Sequence, residues 1–314
     1  MGVESDPSGK GDAPRLPEGS TIDPSHAIHC MRVLLAPTAQ RQRAGVGAGE
    51  ATGEELSPEE AGCHLWDLSA NSEYAEFLVG NNLLGVVTAV LASDGGQDDR
   101  ASRHIEIAAG IVGNLACHTA LAPALGDADG PLAGICACLL STNDVPCLTE
   151  ACRALAIALQ TPVKGQWRTA LVAEEAIARL LDIAANSLDS TLLERILDVI
   201  GALAGVSEAA MQWLLAGGMV PTLAGLLHAY CRVYVSHVEQ SQEGAHATEE
   251  VADGVLRVLE FVAAHEDGGH LVEAEGGSQL LRDVLDALCL SDSEAVESSA
   301  VCVLSEWQTD MVLR

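Results

Sequence analysis

Apolar side chains recur at helical spacing along most of the chain after His64, and the pattern itself recurs. When IEIAAGIVGNLAC, LTEACRALAIALQ, LERILDVIGALAG, VADGVLRVLEFVA and VESSAVCVLSEWQ are stacked, Leu115, Ala158, Leu203, Val262 and Trp307 share one position. Their intervals are 43, 45, 59 and 45 residues. The long interval contains SHVEQSQEGAHATEE, whose polarity predicts a loop inserted on one repeat. Between these helices lies a second recurring unit: VGNNLLGVVTAVLAS, DADGPLAGICACLLS, VAEEAIARLLDIAAN, LAGGMVPTLAGLLHA and AEGGSQLLRDVLDAL. Each begins with a small or turn residue and continues as an amphipathic helix.

Units of two or three helices recurring every 40 to 47 residues are the signature of armadillo and HEAT arrays, in which neighbouring repeats bury faces that no single repeat can bury. The prediction is an all-α, armadillo/HEAT-like helical solenoid of about five repeats over residues 63–314. Residues 107–126, IAAGIVGNLACHTALAPALG, contain no Asp, Glu, Lys or Arg and have the length of a membrane span. Asn114, His118, Pro123 and the glycines argue against hydrocarbon, so residues 107–121 are expected to be the buried third helix of a repeat. The next repeat is expected to begin after GDADG, and Gly217, Gly218 and Pro221 mark another junction.

Residues 1–62 are different. GDAPRLPEGS, RQRAGVGAGEATG and EELSPEEAG are rich in Gly, Pro and Glu with little periodicity, which predicts a largely disordered segment. The exception is SHAIHCMRVLLA, a short helix over 25–36 that could dock on the repeat domain.

Composition narrows the partners. The net charge is −29, from 45 acidic and 16 basic side chains, only two of them lysines. Nucleic acid and anionic membrane surfaces need clustered cations and are therefore disfavoured. Aromatic residues make up only 3% of the chain, so the core must be built from Leu, Ala and Val. Ten scattered cysteines without a CxxC pair, and a start that resembles no signal peptide, predict reduced thiols in an intracellular setting. Cys136 and Cys138 are expected on different helix faces as small buried hydrophobes.

Candidate chemistry is sparse. HEDGGH, His265 to His270, spaces its histidines five apart with two glycines between, where a zinc-hydrolase helix needs four. HAIHC, His26 to Cys30, has ligand types but no second cluster in sequence to complete four-coordination. GVGAGEATG, Gly45 to Gly53, lacks both a preceding strand and the Lys-Ser/Thr of a phosphate loop. No Ser/His/Asp or paired-carboxylate spacing stands out. The expectation is therefore no catalytic residues, no metal, no cofactor and no small-molecule substrate.

WDLSANSEYAEFL, residues 66–78, and IEIAAGIVGNLACH, residues 105–118, with the order of helices after them, resemble the SAAL family of serum amyloid A-like proteins, also called synoviocyte proliferation-associated. The resemblance is strongest over residues 64–230. It implies an armadillo-type solenoid without enzyme activity, a nuclear or cytoplasmic location, and promotion of cell proliferation through protein partners. The leading functional reading is thus a non-catalytic interaction scaffold. The alternative is an Hsp70 nucleotide-exchange co-chaperone, which would stimulate nucleotide release from a chaperone ATPase. A nuclear-transport adaptor of importin-α type would need repeated Trp and Asn on the third helices. Here the Asn114 position is followed by Ile157, Ala202, Phe261 and Glu306, and the tryptophan position holds Gly110, Arg153, Asp198, Arg257 and Cys302.

If the third helices line the concave face, Arg153, Asp198 and Arg257 occupy equivalent positions on one groove, with Asn114 one turn further on in its own repeat. The arginines could engage carboxylates or carbonyls of a partner. They could instead pair with the repeats' own acids, and Asn114 could make a local hydrogen bond.

Overall fold

The start of the ordered array is written in a capping box. Ser57 accepts from the Glu60 amide at 3.2 Å, and the Glu60 carboxylate accepts from the Ser57 amide at 2.9 Å, so two otherwise orphaned donors are satisfied where a helix begins. The computed structural model describes residues 23–35, 56–93, 99–127, 130–161, 166–240 and 245–265, together with Ala274. Among the described residues the regular structure is entirely α-helical. All of 266–314 except Ala274, with Trp307 and the fifth stacked helix, lies outside them, as do GVGAGEATG and His270.

A first pair consists of α1 (Pro24–Leu35) and α2 (Pro58–Ser69). Four three-helix repeats follow. They are α3 (Ser72–Gly80), α4 (Leu83–Leu91) and α5 (Asp99–Ala116); then α6 (Ala122–Leu125), α7 (Pro131–Ser141) and α8 (Val145–Gln160). The third is α9 (Gln166–Leu171), α10 (Glu174–Asn186) and α11 (Ser190–Val206), and the fourth α12 (Glu208–Ala216), α13 (Met219–Gln240) and α14 (Ala245–Ala263). Third helices stack in the order α2, α5, α8, α11, α14, and second helices in the order α4, α7, α10, α13, with α1 against α4. This is the armadillo layout, and the expected all-α solenoid is what the chain forms.

The shared position found in the sequence is core: Leu115, Ala158, Leu203 and Val262 are all fully buried. Close approach between layers depends on missing side chains. A Cβ at Gly110 would lie 2.2 Å from the Trp66 ring, and one at Gly62 would lie 2.8 Å from Ile107. In the first and fourth repeats the turn between first and second helices uses left-handed backbone. Asn82 (φ 73°) and Gly218 (φ 88°) supply it, bending α3 against α4 by 80° and α12 against α13 by 66°.

Several expectations are corrected. Helix α2 starts at Pro58, so EELSPEEAG, expected within the largely disordered segment 1–62, carries the first helical turn of the array. The helix expected over 25–36 runs from Pro24 to Leu35 and docks, burying Ala27, Cys30, Met31 and Leu34. The third helix expected over 107–121 runs from Asp99 to Ala116, and the next repeat begins with α6, ahead of GDADG. The polar insertion at 236–250 is mostly helix: α13 continues to Gln240 and α14 begins at Ala245. Length was absorbed by extending two helices, which keeps their backbone groups paired without a long loop. No single helix among the described residues is long and apolar enough to cross a membrane.

Candidate functional site

Successive third helices present one face, and its polar groups form a ladder that runs between repeats. Asn114, on α5, donates through Nδ2 to the Trp66 carbonyl and to Ser69 Oγ on α2, each at 3.1 Å. Its Oδ1 accepts from Arg153 Nη1 on α8 at 3.3 Å. Arg153 also donates through Nη2 to the Gly110 carbonyl at 2.9 Å and through Nε to Glu150 at 2.7 Å. Gly113 leaves the space in which the guanidinium lies, since a Cβ there would come within 2.8 Å of Cζ. The local hydrogen bond expected of Asn114 is thus corrected: its partners lie 39 to 48 residues away on neighbouring third helices.

The next rungs are ionic. Asp198, on α11, pairs with Arg195 at 3.3 Å and meets Arg257 of α14 at 4.0 Å, while Arg257 Nε contacts Asp253 at 3.1 Å. Arg153 is 22% exposed and Arg257 54%. The four residues singled out from the sequence therefore form two cross-repeat pairs. Arg153 has its donors engaged inside the protein and acts as a strut, whereas Arg257 stands at a rim.

Between α8, α11 and α14 an open groove of about 500 Å³ is lined by Leu159, Leu197, Ala202, Val206, Val258 and Phe261, with Asp198, Arg257 and Arg168 at its edges. Its floor includes backbone, because Gly205 has no heavy atom within 4 Å of where a Cβ would sit. Phe261 is 52% exposed, which is unusual for an aromatic ring on so aromatic-poor a chain. Arg168 closes one end by donating to the Leu159 and Thr161 carbonyls, the free C-terminus of α8. Gly205 and Arg168 were not identified from sequence, since nothing local marks which helical glycine faces open space.

Of the motifs set aside above, HAIHC and the first residue of HEDGGH lie among the described residues. His265, the first residue of HEDGGH, is held by Glu208 through Nε2 at 2.7 Å. Cys136 and Cys138 are both buried, and burial pushes their thiols up to about 12 and about 11. HAIHC lies on a partly buried helix face, as its sequence reading expects, and meets one further residue of a ligand type there. His64, on α2, brings Nδ1 to 3.3 Å from His26 Nε2, and that nitrogen is 3.5 Å from Cys30 Sγ. The missing further ligand is supplied by the docking of α1, from 38 residues away.

Helix layout, capped turns and the third-helix groove together define an armadillo-type repeat protein. No family model matches the chain. It is 32% identical over 154 residues to Protein saal1 of Xenopus tropicalis, covering 48% of this chain and 32% of that protein. It is 24% identical over 238 residues to Protein SAAL1 of Mus musculus, covering 72% of this chain and 48% of that protein. The chain thus spans half or less of the length of the relatives it matches. Among solved structures, an engineered protein is similar at a TM-score of 0.63 and 17% identity, covering 90% of this chain and 98% of that one. A designed armadillo repeat protein in complex with the peptide (KR)4 is similar at 0.61 and 15%, covering 89% and 98%. These relatives and neighbours support a SAAL-family, armadillo-type protein.

Proposed function

We propose that this chain is a non-catalytic interaction scaffold whose third-helix groove seats an extended segment of a partner protein. The observation that carries the reading is the open floor at Gly205 beside exposed Phe261, a place for an apolar anchor with polar surroundings. The chemistry of the segment follows from charge. Along the ladder face, Glu106, Glu150, Glu194, Asp198 and Asp253 outnumber Arg103, Arg153, Arg195 and Arg257, on a chain of net charge −29. A basic segment carrying one apolar anchor fits best, and nucleic acid and membrane surfaces fit poorly. The bound (KR)4 peptide of the designed neighbour is consistent with that chemistry on this architecture. The SAAL resemblance supports a reading in which the scaffold acts in the nucleus or cytoplasm to promote cell proliferation.

Gly205→Phe puts a ring beside the groove from a position whose Cβ meets no heavy atom within 4 Å. Anisotropy of a labelled basic peptide with one central leucine, (KR)2L(KR)2, should report binding that weakens with salt and is reduced at least about tenfold in the variant, equivalent to about 1.4 kcal/mol. Proximity labelling in cells should lose the same set of partners. Unchanged peptide affinity together with an unchanged partner set would remove the groove as the binding surface.

A further inference from the structure

Helix α1 reaches the repeat array across a stretch of sequence outside the described residues, and three metal-ligating side chains meet where it lands. His26 and Cys30 are one helical turn apart on α1 and therefore share a face. His64 projects from α2 toward that face, its ring centroid 5.3 Å from that of His26 and tilted by 48°. The three ligand atoms, His26 Nε2, Cys30 Sγ and His64 Nδ1, all lie within 4.8 Å of one another.

We propose that His26, Cys30 and His64 form a Zn2+ site that clips helix α1 onto α2, with the fourth position taken by water. Two of the three ligand–ligand distances match the ion's tetrahedral geometry, and the third lies within 4.8 Å. Zinc–nitrogen bonds of about 2.0–2.1 Å and a zinc–sulfur bond of about 2.3 Å at tetrahedral angles place two nitrogens about 3.3 Å apart and a nitrogen and sulfur about 3.6 Å apart. The structure has 3.3 Å between the two histidine nitrogens and 3.5 Å between His26 Nε2 and Cys30 Sγ. Cys30 is fully buried while both histidines are exposed, so the ion enters from solvent onto the imidazoles and closes on the sulfur beneath. The Cys30 thiol gives its proton to solvent as the S–Zn bond forms. Soft sulfur with two imidazoles selects against Mg2+ and Ca2+, which take oxygen. Such a site links two segments 38 residues apart and makes docking of the N-terminal helix metal-dependent.

The test uses the full chain stripped with chelator and returned to one equivalent of ZnCl2. Calorimetry should give one ion per chain, and the melting temperature should rise by at least about 5 °C. Co2+ in place of Zn2+ should show a thiolate charge-transfer band. His26→Gln and His64→Gln change exposed side chains and should leave far-UV circular dichroism intact while abolishing both the binding and the rise; Cys30→Ser should abolish the thiolate band. A stripped protein that takes up no ion would overturn the site. Tight binding retained in His64→Gln, or a Co2+ spectrum without the thiolate band, would do the same.

Discussion

Arg153 and Asn114 join two consecutive third helices: the guanidinium of α8 donates to the Asn114 side-chain oxygen on α5 at 3.3 Å, and Asn114 passes the connection on to α2. A partly buried arginine with three internal partners cannot be removed without leaving a carbonyl and a carboxylate undersatisfied. Arg153→Ala should destabilise the protein by about 2–3 kcal/mol and Asn114→Ala by about 1–2 kcal/mol. The double variant should lose less than the sum, by at least about 0.5 kcal/mol, because the two share a bond. Arg257→Glu should cost under about 1 kcal/mol, since the Arg257 side chain is itself more than half exposed. Urea unfolding of the five proteins checks the ordering, and equal losses at 153 and 257 would contradict the assignment of strut and rim.

Two helical glycines should respond in opposite ways. Gly110→Ala drives a methyl to within 2.2 Å of the Trp66 indole, whose rigid ring has little room to move, so a loss of about 2–3 kcal/mol is expected. Gly205→Ala meets open space and gains helix propensity, so stability should hold or rise by up to about 1 kcal/mol. Thermal melts of the pair distinguish them directly. Trp66→Leu in the Gly110→Ala background should recover part of the loss.

The period was legible because burial repeats with it: Leu115, Ala158, Leu203 and Val262 are apolar, and the third-helix stacking they serve is the largest contact in the fold. The first helices were not, because α6 and α9 are only four and six residues long and show no amphipathic period. Some missed signals were available. Ser57 and Glu60 form a capping-box spacing, and Asp144 and Asp189, which cap α8 and α11 from equivalent places, each follow a hydroxyl residue by two, Thr142 and Ser187. The groove pairs were legible as register, since Arg153, Asp198 and Arg257 share a position. What Arg153 does was not legible, because it depends on Gly110, Gly113 and Asn114 of the neighbouring repeat. The meeting of His64 with HAIHC needed the docked α1, and no local pattern encodes it.

Buried thiols give the protein an alkaline limit. Burial pushes Cys136 and Cys152 up to about 12, and burial aided by the Asp144 charge pushes Cys138 up to about 11, from an ordinary value near 9. Above about pH 9 the unfolded chain releases protons that the native chain keeps, so stability must fall as pH rises toward the native values; below pH 9 this contribution is whole. Each such thiol contributes a slope of about 1.4 kcal/mol per pH unit in that window. Urea midpoints at pH 8 and pH 10.5 should therefore differ, and Cys152→Ala should narrow the difference. Iodoacetamide at pH 8 should modify exposed Cys117 well before these three.

Removing the N-terminus should have a sharp boundary. Ala27, Cys30, Met31 and Leu34 are buried against α2 and α4, with Leu34 in contact range of Gly62. Leu34→Ala removes a fully enclosed side chain and should destabilise by about 2–4 kcal/mol, a drop of roughly 5–15 °C in melting temperature for a domain of this size. Deleting residues 1–21 removes a Gly/Pro-rich stretch with little apolar surface to bury and should leave the melt unchanged. Deleting residues 1–36 takes α1 away, exposes the faces of α2 and α4 that it packs against, and should lower the melting temperature at least as far as Leu34→Ala does. That pattern would show α1 to be the cap that an open-ended array of repeats requires. Equal melting temperatures for the two truncations would mean that its packing contributes nothing, and the repeat array would then have to begin at the Ser57 capping box.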